Sequence, residues 1–226
     1  MFSNNKLSVN DIEFVSIGGW CGTKMALTAN NYESASNPFD YVRSSMLGVI
    51  DCFENNFQNY FPESYVKQSN GFYLSQCCEF QHEDFADPNT IISLNRKISR
   101  FRDLLTEYKS VCFLRTITLD NFTNELKYYK QLQTAIEGSY QNLNYIICFI
   151  ITKQKFTSYY KNLDDKTFVF SIDNQYTHVH DYLGPKYKYI FDLISNNNLF
   201  STIPPANNID LIVSNTELET LGLKHE

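Results

Sequence analysis

Cys21 closes the segment Ser16-Ile17-Gly18-Gly19-Trp20-Cys21, where an apolar run gives way to a helical pattern. A thiol at a helix start meets unpaired N–H groups and the positive end of the helix dipole. Both favour the thiolate and make the sulfur a nucleophile. Such a nucleophile needs a base, and His82 is the candidate, with Asp84 or Asp40 to orient its imidazole. Backbone N–H groups at Gly22 or Thr23 would hold the oxyanion, and Arg115 suits an anionic group or developing negative charge. Ser16, Gly18 and Gly19 are the further substrate-contacting candidates. Plainer roles stand beside these: a cysteine near a helix start is more often a packing thiol, and a histidine in a polar loop is more often solvated. Gly18-Gly19 lacks the further glycine and lysine of a phosphate loop. His178 and His180, with Asp173 and Asp181 nearby, make only a thin metal-ligand pattern.

The elements that must position these residues read from the apolar runs. Glu13–Ile17 reads as a short buried strand ended by the two glycines, and Cys21–Asn30 as a helix packing Met25, Ala26 and Ala29. Pro38-Phe39-Asp40-Tyr41 reads as a loop, with Ser44 or Ser45 capping the next helix. A strand or hairpin falls between Gly71 and Phe80. Leu94, Ile98, Phe101, Leu105 and Tyr108 form a helical stripe. A strand follows at 110–114, leaving Arg115 and Thr116 just beyond it. Then come a helix from about Thr123 to Ile136, strands at 145–151 and 167–172, and a helix at 187–194. Continuous apolar strands between amphipathic helices predict an α/β fold, a single three-layer domain with a mainly parallel sheet flanked by helices on both faces. The domain is expected over 1–203, with a polar tail at 204–226. In an open parallel sheet, ligands bind outside the carboxyl ends of the strands, where Ser16–Cys21, Gln81–Asp84 and Arg115 would converge.

The chain has 226 residues and a net charge of −6, from 19 basic and 25 acidic residues. That balance lacks the basic stripe of a general nucleic-acid binder. No apolar run reaches the roughly 18–20 residues of a membrane span, and Met-Phe-Ser-Asn-Asn-Lys has no apolar core for a secretion signal. A cytoplasmic protein is expected, in the host cytoplasm or virion if viral. The excess of Tyr, Phe and Asn follows AT-rich codons and fits a low-GC microbe or a large DNA virus. Six cysteines without a C-x-x-C pair argue against structural zinc, and all six are expected to be reduced. No cofactor is expected.

Beyond these single residues, an ordered set of motifs resembles the family of putative papain-like cysteine peptidases. It runs through Ser16-Ile17-Gly18-x-x-Cys21, Asn37-Pro38-Phe39-Asp40-Tyr41, His82-x-Asp84-Phe85 and Arg96-Lys97-Ile98-x-Arg100-Phe101. It continues with Phe113-Leu114-Arg115-Thr116, the Glu125-Leu126 helix and Tyr189-Ile190-Phe191, covering Phe14 to Ser195. The resemblance implies Cys21 as nucleophile and His82 as base, with Asp40 or Asp84 assisting. The chain departs from the family pattern in the extra residue of His82-Glu83-Asp84-Phe85, and in Tyr41 where the family has tryptophan. The strand–helix alternation itself predicts βαβ units rather than the antiparallel half-barrel of a papain fold. The leading expectation is a cysteine-dependent hydrolase or acyl transferase acting on a peptide, amide or ester. Two alternatives stand beside it. One is a carbohydrate- or nucleotide-related α/β enzyme that binds an anionic group at Gly18-Gly19 and Arg115 and uses Asp40. The other is a non-catalytic module that meets a partner through an aromatic surface.

Overall fold

Unbroken runs such as Val-Cys-Phe-Leu and Tyr-Ile-Ile-Cys-Phe-Ile-Ile have apolar side chains for both faces of a strand, so they belong in a sheet covered on both sides. The computed structural model describes residues 12–19, 21–32, 35–107, 110–117, 125–152, 158–173 and 180–195. With labels in chain order, β1 is Ile12–Ser16, β2 Arg43–Ser44, β3 Tyr73–Leu74, β4 Cys78–Phe80, β5 Ser110–Ile117, β6 Tyr145–Ile151, β7 Ser158–Asn162 and β8 Thr167–Ser171. The main sheet has the order β1-β5-β6-β8-β7, and β2, β4 and β3 make a small second sheet. β1, β5, β6 and β8 run parallel. β7 pairs antiparallel with β8.

The helices are α1 (Gly22–Ala29), α2 (Met46–Glu54), α3 (Pro88–Glu107), α4 (Tyr129–Ser139) and α5 (His180–Ser195). Side-chain alternation divides the sheet between two apolar layers. Phe113, Ile147, Phe149 and Val169 meet Val49 of α2, Phe101 of α3 and Ile136 of α4. Cys112, Leu114, Cys148 and Phe170 meet Leu27 of α1 and Phe191 of α5. The protein is therefore a three-layer α/β fold with a mainly parallel sheet, as the alternation predicts.

Several local expectations change. β5 runs on to Ile117, so Arg115 and Thr116 lie inside the strand rather than beyond its end. The strand tolerates the charge because a carboxylate meets it, as described below. α4 starts at Tyr129, after a helical turn at 125–126. α5 starts at His180, well before Tyr187. β7 is an edge strand with no clear apolar pattern, which is why the sequence did not announce it. Ser45, rather than Ser44, caps α2 by accepting a hydrogen bond from the Gly48 N–H at 3.0 Å. Tyr108, Thr123, His178 and the expected tail at 204–226 lie outside the described residues.

Candidate functional site

Beyond the carboxyl end of β1 the chain turns through Gly18 (φ 81°) and Gly19 (φ 92°), a left-handed conformation that suits glycine. Space demands glycine too: a Cβ on Gly18 would stand 2.1 Å from Ser44 Oγ, and one on Gly19 2.3 Å from the Thr116 carbonyl oxygen. The turn is thus pressed against both β2 and the end of β5. The Gly18 N–H points to Ser16 Oγ and the Gly19 N–H to Ser44 Oγ, each at a long 3.4 Å. Cys21 follows as the residue at which α1 begins, with helical φ and ψ, and its carbonyl accepts from Met25 N–H at 3.1 Å. No side chain caps α1. Cys21 is half-buried, whereas Cys52, Cys77, Cys78, Cys112 and Cys148 are buried.

Three residues into α1, Lys24 turns inward and pairs with Asp40 at 3.5 Å, with both side chains almost wholly buried. The same Asp40 Oδ2 accepts the Asn37 N–H at 2.8 Å, closing the Asn37–Asp40 turn. Tyr60 holds that turn from below, donating its hydroxyl to the Pro38 carbonyl at 2.5 Å. Burial pushes the Asp40 carboxyl above the usual carboxylate range, with Lys24 opposing the rise. Asp40 Oδ1 and Asn37 Oδ1 are buried without a hydrogen-bond partner.

His82 is exposed in the bend after β4. Its neighbour Glu83 is partly buried and lies 4.0 Å from Lys97 of α3. Burial raises the Glu83 carboxyl, and the Lys97 charge opposes that rise. Lys97 also acts on Asp40. Lys24 of α1 thus holds the Asp40 turn, and Lys97 of α3 holds Glu83. Asp84 is engaged elsewhere. Its Oδ1 accepts from the Tyr73 hydroxyl at 3.2 Å and Ala86 N–H at 3.1 Å, and its carbonyl accepts from Thr90 Oγ1 at 2.6 Å. It joins β3 to the start of α3.

Arg115 faces inward, 1% exposed. Its Nε donates to Glu125 Oε2 at 2.6 Å, Nη1 to the Ile17 carbonyl at 2.8 Å and to Ser44 Oγ at 3.3 Å, and Nη2 to the Ser44 carbonyl at 2.6 Å. The guanidinium ties β1, β2 and β5 to the segment bearing Glu125, so its donors are directed at protein acceptors. On the other face of β5, Thr116 Oγ1 lies 2.7 Å from Thr23 Oγ1 and 2.6 Å from the Tyr187 hydroxyl, linking β5 to α1 and α5.

Lys24 was not singled out in the sequence, and Ser44, Thr23, Thr116 and Glu125 were noted there for other roles, without the side-chain partners that the fold gives them. Two signals were available: a lysine beside the apolar Met25-Ala26-Leu27, and an arginine in an otherwise apolar strand. Each demands a buried acid. Among the described residues no cluster of His, Cys, Asp and Glu is arranged to hold a metal ion. His180 lies in α5, and His178 is outside the described residues. No described helix is long and apolar enough to cross a membrane.

A family model described as "Putative papain-like cysteine peptidase (DUF1796)" matches residues 12–76 and 63–155, which together take in more than half of the chain. No curated protein and no solved structure matches the chain.

Proposed function

The chain belongs to this family of putative papain-like cysteine peptidases, and from that premise we propose that it is a cysteine-dependent hydrolase of peptide, amide or ester bonds with Cys21 as nucleophile. The observation that carries this reading is the contrast between Cys21 and the five buried cysteines: it is the half-buried one, at the uncapped start of α1. In the proposed reaction the Cys21 thiolate attacks the substrate carbonyl carbon, and the N–H groups of Gly22 and Thr23 stabilise the oxyanion. His82 takes the thiol proton and returns it to the departing amine or alcohol, leaving a thioester. Water, deprotonated by His82, then releases the acid and restores the thiol. A second amine or alcohol in place of water makes the same cycle an acyl transfer.

The supporting electrostatics come from two lysines. Lys24 ties Asp40 to the helix bearing Cys21, and Lys97 ties Glu83, next to His82, to α3. Asp40 is the assisting acid in this scheme, because Asp84 is occupied by Tyr73 and Ala86. An anion held by Gly18-Gly19 and Arg115 gains less support. The glycine N–H groups point at serine hydroxyls and the guanidinium at Glu125, Ile17 and Ser44.

The test is alkylation by iodoacetamide, read for each cysteine by mass spectrometry on the native and urea-unfolded protein. An activated Cys21 labels faster in the native protein than in the unfolded chain, where the thiol has no helix or base beside it. His82→Ala removes that excess. Slower labelling of Cys21 in the native state than in the unfolded one overturns the assignment. An unchanged excess in His82→Ala removes His82 from it.

A further inference from the structure

Two anchors fix the course of the chain past Cys21. Asp40 pairs with Lys24, which follows Cys21 by less than one helical turn, at 3.5 Å. Ser44 Oγ accepts the N–H of Gly19, just before Cys21, at 3.4 Å. The segment 40–44 therefore runs alongside the turn that carries the thiol. Its side chains alternate as in a strand: Asp40, Val42 and Ser44 are buried, and Tyr41 and Arg43 are exposed. Arg43 is directed to the small sheet, 4.0 Å from Glu79 of β4, with its guanidinium carbon 5.2 Å from the centre of the Phe72 ring. Tyr41 is the large apolar side chain that the segment leaves at the surface, 36% exposed.

The backbone at Tyr41 is left-handed, with φ 63°. A Cβ crowds the following carbonyl there, so that conformation favours glycine. Among the described residues Asn31, Asn56 and Phe57 are the other residues besides glycine that share it. Asparagine tolerates it, because its short polar side chain bonds to the local backbone. Phe57 is buried against the rings of Phe39, Tyr60 and Phe101, and core packing offsets its strain. Tyr41 is neither an asparagine nor a core residue. Its surroundings impose the strain. Asn37 N–H donates to Asp40 Oδ2 at 2.8 Å, Asp40 N–H donates to the Asn37 carbonyl at 3.2 Å, and the Tyr60 hydroxyl donates to the Pro38 carbonyl at 2.5 Å. Lys24 then fixes Asp40 on one side of Tyr41, and the core fixes Val42 on the other. Position 41 takes the left-handed conformation whichever residue stands there, and glycine would take it most easily. A bulky, partly exposed side chain held under strain beside a reactive group is the pattern of a residue kept for what it touches.

We propose that Tyr41 contacts the substrate, its ring forming an apolar wall beside Cys21 for an aromatic or bulky aliphatic group next to the carbonyl under attack. The inference rests on Cys21 as the nucleophile. A phenol ring suits the task. It takes another ring in offset or edge-on packing, and its two side-chain torsions leave little freedom to lose on binding. The substrate class thereby narrows from any peptide, amide or ester to those with a hydrophobic acyl group.

Two alkylating probes with the same reactive group test this, iodoacetamide and N-(2-phenylethyl)iodoacetamide. Each is used to label the native and the urea-unfolded full chain, and the rate at Cys21 is read by mass spectrometry. The deciding quantity is the rate with the phenylethyl probe divided by that with iodoacetamide, because changes in the thiol itself cancel in the ratio. In the native protein the ratio should stand about two- to tenfold above its unfolded value. Tyr41→Phe keeps the ring and should keep the ratio. Tyr41→Gly and Tyr41→Ala lose the ring and should bring the ratio down to its unfolded value. Glycine suits the left-handed backbone, so the Gly variant should also unfold at a higher urea concentration than the Ala variant. A native ratio equal to the unfolded one, or a raised ratio that survives in Tyr41→Gly, overturns the assignment of Tyr41. So does an Ala variant as stable as the Gly variant, because position 41 is then unstrained. Slower labelling of Cys21 by iodoacetamide itself in the native chain than in the unfolded one is a different failure. It overturns the nucleophile, and the wall beside it falls as well.

Discussion

Lys24 and Asp40 show how a buried ion pair does two things at once. The pair fastens the Asn37–Asp40 turn to the helix of Cys21, and it offsets the cost of taking the carboxylate out of water. The sign of the pH dependence follows from the raised Asp40. Between the ordinary carboxyl value in the unfolded chain and the higher value in the folded one, the native protein holds more protons. Asp40 therefore lowers stability as pH rises through that window. Removing Lys24 takes away an influence that lowers the Asp40 carboxyl. Lys24→Met should cost about 3–5 kcal/mol near neutral pH, with much of the loss relieved in acid, where Asp40 is protonated. Urea unfolding at two pH values measures both, and a loss independent of pH would mean that Asp40 is not the group left uncompensated. Arg115 makes the parallel case. Glu125→Gln leaves a buried guanidinium without its counter-charge and should cost about 3 kcal/mol, read as a lower urea midpoint.

At the scale of elements, the turn between β1 and α1 sets where Cys21 stands. Gly19 and Gly71 both have left-handed φ, but only Gly19 is pressed against backbone; around Gly71 a Cβ would find open space. Gly71→Ala should therefore cost only the conformational penalty, about 1 kcal/mol. Gly19→Ala adds a collision with the Thr116 carbonyl and should cost at least about 2 kcal/mol more. It should also displace Cys21 and slow its alkylation. Equal losses in the two variants would show that the turn has room to move away from β5. α3 is positioned differently, through its stripe. Leu94, Ile98, Phe101 and Leu105 are buried on one side of it, while Lys97, between them, reaches Glu83.

For the whole molecule, one sheet separates two apolar layers, and both must form for either face of a strand to be covered. Phe101→Ala in one layer and Phe191→Ala in the other should each cost about 3–5 kcal/mol. Each should shift one common unfolding transition rather than split it, with coincident fluorescence and far-ultraviolet dichroism curves as the check. Much of this architecture was legible in the sequence. The strands at β1, β5, β6 and β8 announce themselves because a strand covered on both faces needs a continuous apolar run. α3 does so because a helix packed on one side needs apolar residues every three or four positions. Both signals are local, and together they determine a parallel sheet between helical layers. Cys21 at a helix start after two glycines was legible for the same reason. Other features depend on which distant segments meet, and local spacing carries no record of that. Only the tertiary structure decided that Arg115 turns inward to Glu125 and that Asp84 serves Tyr73 and α3. It alone joined Asp40 to Lys24 and laid α5 on the face that holds α1. A charge in an apolar run tells that a partner exists, but which residue answers it is settled only when the chain has folded.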